Sequence, residues 1–194
     1  METFKPDRKA ALELLNEYTR SENLVRHALA VEAVMRHFTG LLNEDPEKWG
    51  VIGLLHDVDY EKYPDRHCEM AREILNNNGY PEEYIRAVES HGYKFVNDIE
   101  PAAPMEKVLY ATDELTGLIA AAALMRPSRS ILDIGAGSVK KKWKQKGFAA
   151  GVDREVILEG AGMLGMELDD LIEQTILGMR TVAEEIGLVG EAML

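Results

Sequence analysis

The sequence is poor in cysteine, in basic residues and in long apolar runs, and each shortage excludes something. Cys68 is the single cysteine among the 194 residues, so no disulfide can form within the chain and a reducing compartment is expected. The longest apolar run, around residues 115–125, is about half the length that a membrane-spanning helix needs. Basic residues number 22 against 34 acidic ones, a formal net charge of −12. We therefore expect a cytoplasmic protein that neither spans a membrane nor binds nucleic acids broadly.

The basic residues that are present are concentrated in one segment, residues 126–146. Seven of the 22 lie there, with Asp133 as the one acidic residue among them. Because the negative charge of the rest of the chain would repel an anionic ligand, this basic segment could form a local anion site. A solvated helix face explains the same residues equally well, so both interpretations stay open. The seven residues are Arg126, Arg129, Lys140, Lys141, Lys142, Lys144 and Lys146.

Apolar residues recur at helical spacing along the whole chain, and no segment shows the sustained alternation typical of strands. The predicted fold class is therefore all-α, a single-domain helical bundle covering residues 1–194. Asp45 followed by Pro46 indicates a helix start, and another helix is expected from Asp65 through Leu75. Three further helices are expected towards the C-terminus, at about 138–148, 152–164 and 167–187.

A glycine-rich stretch, residues 131–138, reads like the first motif of adenosylmethionine-dependent methyltransferases. That motif needs a strand that leads into a glycine loop and a helix, with further strand–helix units downstream. Residues 140–194 have helical period only. A glycine-rich turn between two helices is therefore the favoured interpretation.

Histidine and acidic residues occur where apolar helices would not be expected to carry them. His27 falls within an apolar helix face, His56 and Asp57 end a helix that is apolar nearly all round, and Asp113 lies in the most apolar helix. A buried carboxylate must be paired with a cation or coordinate a metal, and few Lys or Arg residues lie nearby. Two imidazoles and two carboxylates suit Mn, Fe, Mg or Zn and leave coordination positions open for water and substrate.

The order His, His-Asp, Asp on helices, formed by His27, His56, Asp57 and Asp113, resembles the HD-domain superfamily of metal-dependent phosphohydrolases. The resemblance covers about residues 20–125, which leaves 126–194 as a C-terminal helical extension with the basic segment at its start. It implies an all-helical bundle in which these four residues bind a divalent metal ion. An HDIG-like branch of the superfamily is the expected placement.

Some branches of this superfamily add two histidines between the His-Asp pair and the final Asp, and hold a second metal ion. His67 and His91 lie in that interval. The resemblance then implies that Asp57 bridges two ions and that His67 and His91 bind the second. The alternatives are a surface histidine in the first turn of a helix for His67 and a polar helix end for His91. One or two divalent ions are therefore expected.

The position four residues after His56 departs from the better-known branches. Nucleotidase and alarmone-hydrolase members have a glutamate there that acts on the attacking water, whereas this chain has Tyr60. Asp59 and Glu61 flank Tyr60, so either could move the proton instead. The HD-G-Y-P signature of cyclic-dinucleotide hydrolases is absent, so that substrate is not supported.

The resemblance implies a phosphohydrolase that acts on a small phosphorylated substrate, which could be a nucleotide, through a metal-activated water. Asp57, Asp59 and Glu61 are the candidate catalytic residues. The substrate phosphate is expected to bind to the basic segment. The residues expected to contact it are Arg126, Arg129, Lys140, Lys141, Lys142 and Lys144.

Two other functions stay open on the sequence. An HD-type fold with four histidines and two aspartates around two irons resembles a small group of oxygen-activating oxygenases. A non-catalytic protein would instead keep a structural ion and dock a nucleotide, RNA or another anion on the basic segment. A homodimer formed through the exposed side of the last helix is also considered.

Overall fold

The computed structural model describes residues 6–145 and 147–190. Within these ranges the chain is helical and contains no strand beyond two isolated bridges, which confirms the predicted all-α class. None of the described helices is both long enough and apolar enough to cross a membrane. The helices are α1 (Arg8–Tyr18), α2 (Glu22–Leu42), α3 (Pro46–Leu55), α4 (Glu69–Asn77), α5 (Glu82–Ser90), α6 (Pro104–Leu124), α7 (Ala136–Trp143), α8 (Arg154–Leu164) and α9 (Leu168–Arg180).

Local capping signals explain where several of these helices begin. The Asp45 carboxylate accepts hydrogen bonds from the first N–H groups of α3, and Pro46 occupies the first helical position, where no N–H is needed. Asp153 caps α8 in the same way, and Pro104 opens α6. The helix start predicted at Asp45-Pro46 is therefore confirmed.

The helix predicted from Asp65 through Leu75 is present, but the prediction of its first residue is wrong. The structure has a short 3₁₀ turn over Pro64–Arg66, and α4 begins only at Glu69. Between them Cys68 has a φ of 67°, in the left-handed region, which no α-helix can accommodate. This break turns His67 out of the helical path and towards the interior.

Two C-terminal helices are shorter than predicted, since α7 ends at Trp143 and α9 at Arg180. The Arg154 guanidinium donates hydrogen bonds to the carbonyls of Trp143 and Phe148, at 3.1 and 2.6 Å. In a continuing helix those carbonyls would be bonded within the helix, so Arg154 stabilises the turn that replaces it.

Helices α2 and α6 form the centre of the bundle. Helix α2 packs against α3, α6 and α9, while α6 also packs against α8. The contact between α6 and α8 is close because Gly160 has no side chain. A Cβ atom at Gly160 would lie 2.5 Å from the Cα of Ala111. Helix α8 therefore lies directly against the helix that carries Asp113. The division of the chain at residue 125 into a core and an extension stays a prediction.

In the glycine-rich stretch 131–138, residues 131–135 form a turn between helices and residues 136–138 begin α7. The Ile131 N–H donates to the Leu188 carbonyl at 2.8 Å, and Gly135 is the N-cap of α7. The parallel strands that a methyltransferase motif needs are missing from the described residues, in agreement with the interpretation as a turn.

Candidate metal centre

Six side chains from five parts of the fold converge on one site. His27 comes from α2, Asp113 from α6, and His56 and Asp57 from the end of α3. His91 follows the last residue of α5, and His67 comes from the break before α4. Because His56 and His91 occupy the C-cap positions of their helices, their rings leave the helix ends and enter the space between helices.

The first cluster consists of His27, His56 and Asp113. His27 Nε2 lies 3.2 Å from His56 Nε2 and 2.9 Å from Asp113 Oδ1. His56 Nε2 lies 3.3 Å from the same carboxylate oxygen. Donor atoms placed about 2.1 Å from one ion are about 3.0–3.4 Å apart in octahedral or tetrahedral geometry. The three donor atoms therefore have the mutual spacing of ligands to a single cation.

The second cluster consists of His67 and His91, whose Nε2 atoms lie 3.0 Å apart. Cys68 Sγ is within 4.8 Å of ring nitrogens of both residues. Burial, together with Asp59 and Asp57, raises the pKa of the Cys68 thiol, which favours the thiol over the thiolate that binds metals. The two imidazoles are therefore the donors that this cluster offers most readily.

Asp57 lies between the two clusters and directs one carboxylate oxygen to each. Its Oδ2 is 3.4 Å from His56 Nε2 and 3.9 Å from His27 Nε2. Its Oδ1 is 3.4 Å from His67 Nε2 and 3.5 Å from His91 Nε2. A carboxylate in this position is suited to bridge two cations.

Three of the four rings are fixed from behind by hydrogen bonds from Nδ1. His56 Nδ1 donates to the Gly53 carbonyl at 2.8 Å, and His91 Nδ1 donates to the Val88 carbonyl. His67 Nδ1 donates to Asp59 Oδ1 at 2.9 Å. With Nδ1 protonated, each Nε2 presents its lone pair to the centre, the arrangement usual for metal-binding histidines.

The fourth ring, that of His27, is oriented through a hydroxyl group. Its Nδ1 lies 3.3 Å from Thr116 Oγ1, and that hydroxyl donates its own proton to the Asp113 carbonyl at 2.7 Å. The hydroxyl oxygen is thus left to accept a proton from the His27 Nδ1. This assigns to His27 the same tautomer as the other three rings.

The two carboxylates of the centre are held in their ionised form. Burial alone would raise the pKa of Asp57, but the charge of His56 and hydrogen bonds from His56 and His91 hold it well below its usual value. Burial alone would also raise the pKa of Asp113, but His56 and His27 outweigh this effect and lower the pKa. Conversely, Asp57 and Asp113 raise the pKa of His56 against the effect of burial. A divalent cation would supply the positive charge that these carboxylates otherwise draw from protonated imidazoles, so the donor set fits such an ion.

The sequence-based expectation that Asp59 moves a proton is corrected by the structure. Asp59 is completely buried, and its Oδ2 accepts the Ala71 N–H at 2.9 Å while its Oδ1 holds His67. Both oxygens are therefore engaged with protein donors. Asp59 positions a candidate ligand and does not face the cavity.

Glu61 is likewise misplaced for proton transfer. Its Oε2 accepts the N–H groups of Arg20 and Ser21 at 2.8 and 2.9 Å, just before α2 begins. These hydrogen bonds lower the pKa of Glu61. The side chain does not line the cavity at the histidines, so it stabilises a helix start instead.

The basic segment is also not brought to the site. None of the six residues expected to bind phosphate lines the cavity at the histidines, because α7 packs against α9 and α6. Arg126 forms hydrogen bonds of 2.9 and 3.0 Å to the Asp133 carboxylate, and Lys140 pairs with Asp169. The structure therefore does not bring these residues to the histidine cavity, and their contact with a phosphate stays a prediction. Lys146 lies outside the described residues.

A cavity of about 410 Å³ opens onto the two clusters. Its lining includes Glu114, which the sequence reasoning missed. Glu114 Oε2 accepts the Asp153 N–H at 3.3 Å, and burial together with Asp113 raises the pKa of Glu114 to about 7. The sequence signal that could have revealed Glu114 is its position directly after Asp113. Its contact with Asp153 spans 39 positions and has no local signature.

The sequence profile of the HD domain family matches residues 24–118, a range that contains all six converging residues. The chain therefore belongs to the HD-domain superfamily, a superfamily of metal-dependent phosphohydrolases that bind divalent ions. No curated protein and no solved structure matches the chain. Placement in an HDIG-like branch stays a prediction.

Proposed function

We propose that the chain is a phosphohydrolase that works with two divalent metal ions. The observation that carries the proposal is the position of Asp57, with Oδ2 towards His27 and His56 and Oδ1 towards His67 and His91. A carboxylate shared in this way would keep two ions close enough to act on one phosphoryl group. Membership of the HD superfamily supports the same reaction class.

The two ions would have different numbers of protein ligands, which suggests that they have different roles. His27, His56, Asp57 and Asp113 would hold the first ion, while His67, His91 and Asp57 would hold the second and leave more positions for water and substrate. Mixed imidazole and carboxylate donors suit Mn, Fe or Zn, and Mg is the least favoured because it prefers oxygen ligands.

When bound, the ions would lower the pKa of a water molecule and polarise the phosphoryl oxygens. The chain's own residues prepare the site for this chemistry. Asp57 and Asp113 neutralise positive charge, and the Nδ1 hydrogen bonds of the histidines fix the Nε2 directions. Glu114 lines the cavity beside Asp113 and can accept a hydrogen bond from the attacking water.

The test is hydrolysis of a panel of phosphomonoesters by purified protein reconstituted with Mn²⁺, Fe²⁺ or Zn²⁺. Asp57→Asn should lower kcat/KM by about a thousandfold or more while circular dichroism stays unchanged, because the bridging charge is lost. Asp65→Asn is the matched control, since Asp65 is exposed in the 3₁₀ turn and should behave as wild type. Equal turnover by the Asp57→Asn protein would rule the proposal out.

A di-iron oxygenase is the second candidate, favoured by two observations. The site offers four imidazoles and two carboxylates, and among the described residues no Lys or Arg lines the cavity to receive a phosphate. Protein that purifies with two irons, consumes oxygen in the presence of a small organic substrate and leaves all phosphate esters intact would favour this function over hydrolysis.

A further inference from the structure

The lining of the cavity combines candidate metal ligands with uncharged residues. The candidate ligands that line it are His27, Asp57, His67, His91 and Asp113. Beside them lie aliphatic and aromatic side chains from five different parts of the chain. They are Leu24, Tyr60, Phe95, Val96, Tyr110 and Val156.

The described residues that line the cavity include acidic side chains but no Lys or Arg. Beyond the six converging residues, Glu114 is the one charged residue that lines it in the part of the chain that the structure describes. Phosphate groups that do not touch a metal ion are usually bound by Lys or Arg. Among the described residues, a second phosphate or carboxylate on the ligand would therefore meet no Lys or Arg in the lining and would face the Glu114 carboxyl group instead.

Part of the apolar lining of the cavity is exposed to solvent. Phe95 and Val96 lie at the cavity with about half of their surface exposed, 50% and 51%, although both are apolar. Val156 comes from α8, outside the range matched by the family profile, and closes the cavity from that side. Apolar walls of this kind bind apolar ligand surface.

Glu114 also supplies a polar anchor. The Asp153 N–H fixes its Oε2 at 3.3 Å, which orients the carboxyl group within the cavity. Its Oε1 is available to accept a hydrogen bond from a hydroxyl or amino group of a ligand.

We infer that the substrate is a monoester with one phosphoryl group on a compact, largely apolar and otherwise uncharged body that carries a hydrogen-bond donor. Nucleoside di- and triphosphates and other polyanions are disfavoured. The inference rests on the proposed function for the identity of the reacting group, and on the cavity lining for the nature of the body.

The inference is tested by calorimetric binding of three non-hydrolysable phosphonates to the Mn²⁺-loaded protein. Phenylphosphonate should bind about tenfold more tightly than methylphosphonate, because the phenyl ring buries apolar surface. It should also bind about tenfold more tightly than 4-phosphonobenzoate, which has the same ring and one further negative charge. Equal binding of phenylphosphonate and methylphosphonate, or tighter binding of 4-phosphonobenzoate, overturns the inference.

A pair of variants isolates the charge effect. Glu114→Gln should reduce the discrimination against 4-phosphonobenzoate at least about threefold, because the acidic neighbour is gone while an oxygen remains for the Asp153 N–H. Glu155→Gln makes the same change at an exposed position of α8 that does not line the cavity, and should leave the ratio unaltered. An unaltered ratio in Glu114→Gln also contradicts the inference.

The two proposals fail in distinguishable ways. If phenylphosphonate is preferred but phenyl phosphate is not hydrolysed with any of the three metals, the hydrolase fails and the ligand class stands. If phosphomonoesters are hydrolysed but the binding order is reversed, the ligand class fails and the hydrolase stands.

Discussion

Asp59 Oδ1 and His67 Nδ1 are joined by a 2.9 Å hydrogen bond, although Asp59 is completely buried. The other oxygen of the same carboxylate accepts the Ala71 N–H in the first turn of α4. One side chain therefore fixes both the direction of a candidate ligand and the start of the helix that follows it. This double contact explains why an acidic residue is tolerated at a position without solvent.

Asp59→Asn should selectively weaken the second metal position. An amide offers one acceptor oxygen in place of two, so either His67 or the Ala71 N–H loses its partner. We expect bound metal to fall from two ions to one per chain, with a loss of about 1–3 kcal/mol in the free energy of unfolding. Metal analysis and urea denaturation measure the two effects. Asp65→Asn is the control, and retention of two ions with unchanged affinity would contradict the prediction.

Gly160→Ala should destabilise the protein. The added Cβ would lie 2.5 Å from the Cα of Ala111, so α8 must shift away from α6. We expect a loss of about 1–3 kcal/mol in the free energy of unfolding, as for other overpacked sites. Gly162 is the matched control on the same helix, because a Cβ there meets no atom within 4 Å. Gly162→Ala should be neutral or stabilising by up to about 1 kcal/mol. Equal stabilities of the two variants would show that the helix contact is not tight.

Arg72→Met should cost more stability than the same change at Arg66. Arg72 donates hydrogen bonds of 2.6 Å from Nε and Nη2 to the two carboxylate oxygens of Glu89, whose side chain is 9% exposed. Removing the guanidinium leaves a buried carboxylate unpaired, at a cost of about 3 kcal/mol. Arg66 pairs with Glu69, which is 67% exposed, so its loss should cost less than about 1 kcal/mol. Thermal and chemical unfolding of both variants provide the comparison.

Chelation should lower the thermal stability of the wild-type protein. Ions that bind the folded chain alone stabilise it by about 2.7 kcal/mol at a concentration one hundred times the dissociation constant. We expect Tm to fall by several degrees in EDTA and to recover when Mn²⁺ is added in excess. Asp57→Asn should show little of either change. A wild-type Tm that does not respond to EDTA or to added Mn²⁺ would argue against ion binding at this centre.

The sequence predicted those features that depend on neighbouring residues. Asp45 and Pro46 define a helix start by themselves, and the pair His56-Asp57 ends an apolar helix in a way that requires a partner for the charge. The break at Cys68 had no such signal, because a positive φ at a residue other than glycine is imposed by its surroundings. The helix from Asp65 was therefore predicted too early.

Roles that depend on distant contacts could not be read from the chain. Asp59 lies beside the His-Asp pair and looked free to act as a base, but its burial and its bond to Ala71 arise only on folding. The basic segment looked like an anion site, yet its charge pattern does not tell which helices α7 packs against. Glu114 was adjacent to Asp113, but its contact with Asp153 required α8 to be placed on α6.

The Nδ1 hydrogen bonds of His56, His67 and His91 direct the Nε2 lone pairs inwards through protein contacts alone. The ring orientations therefore do not have to be created by the arriving ion. Affinities at such a site should follow the general order of divalent metals, in which Mn²⁺ and Fe²⁺ bind more weakly than Zn²⁺. Which ion occupies the centre then depends on which metal the cell supplies where the protein folds.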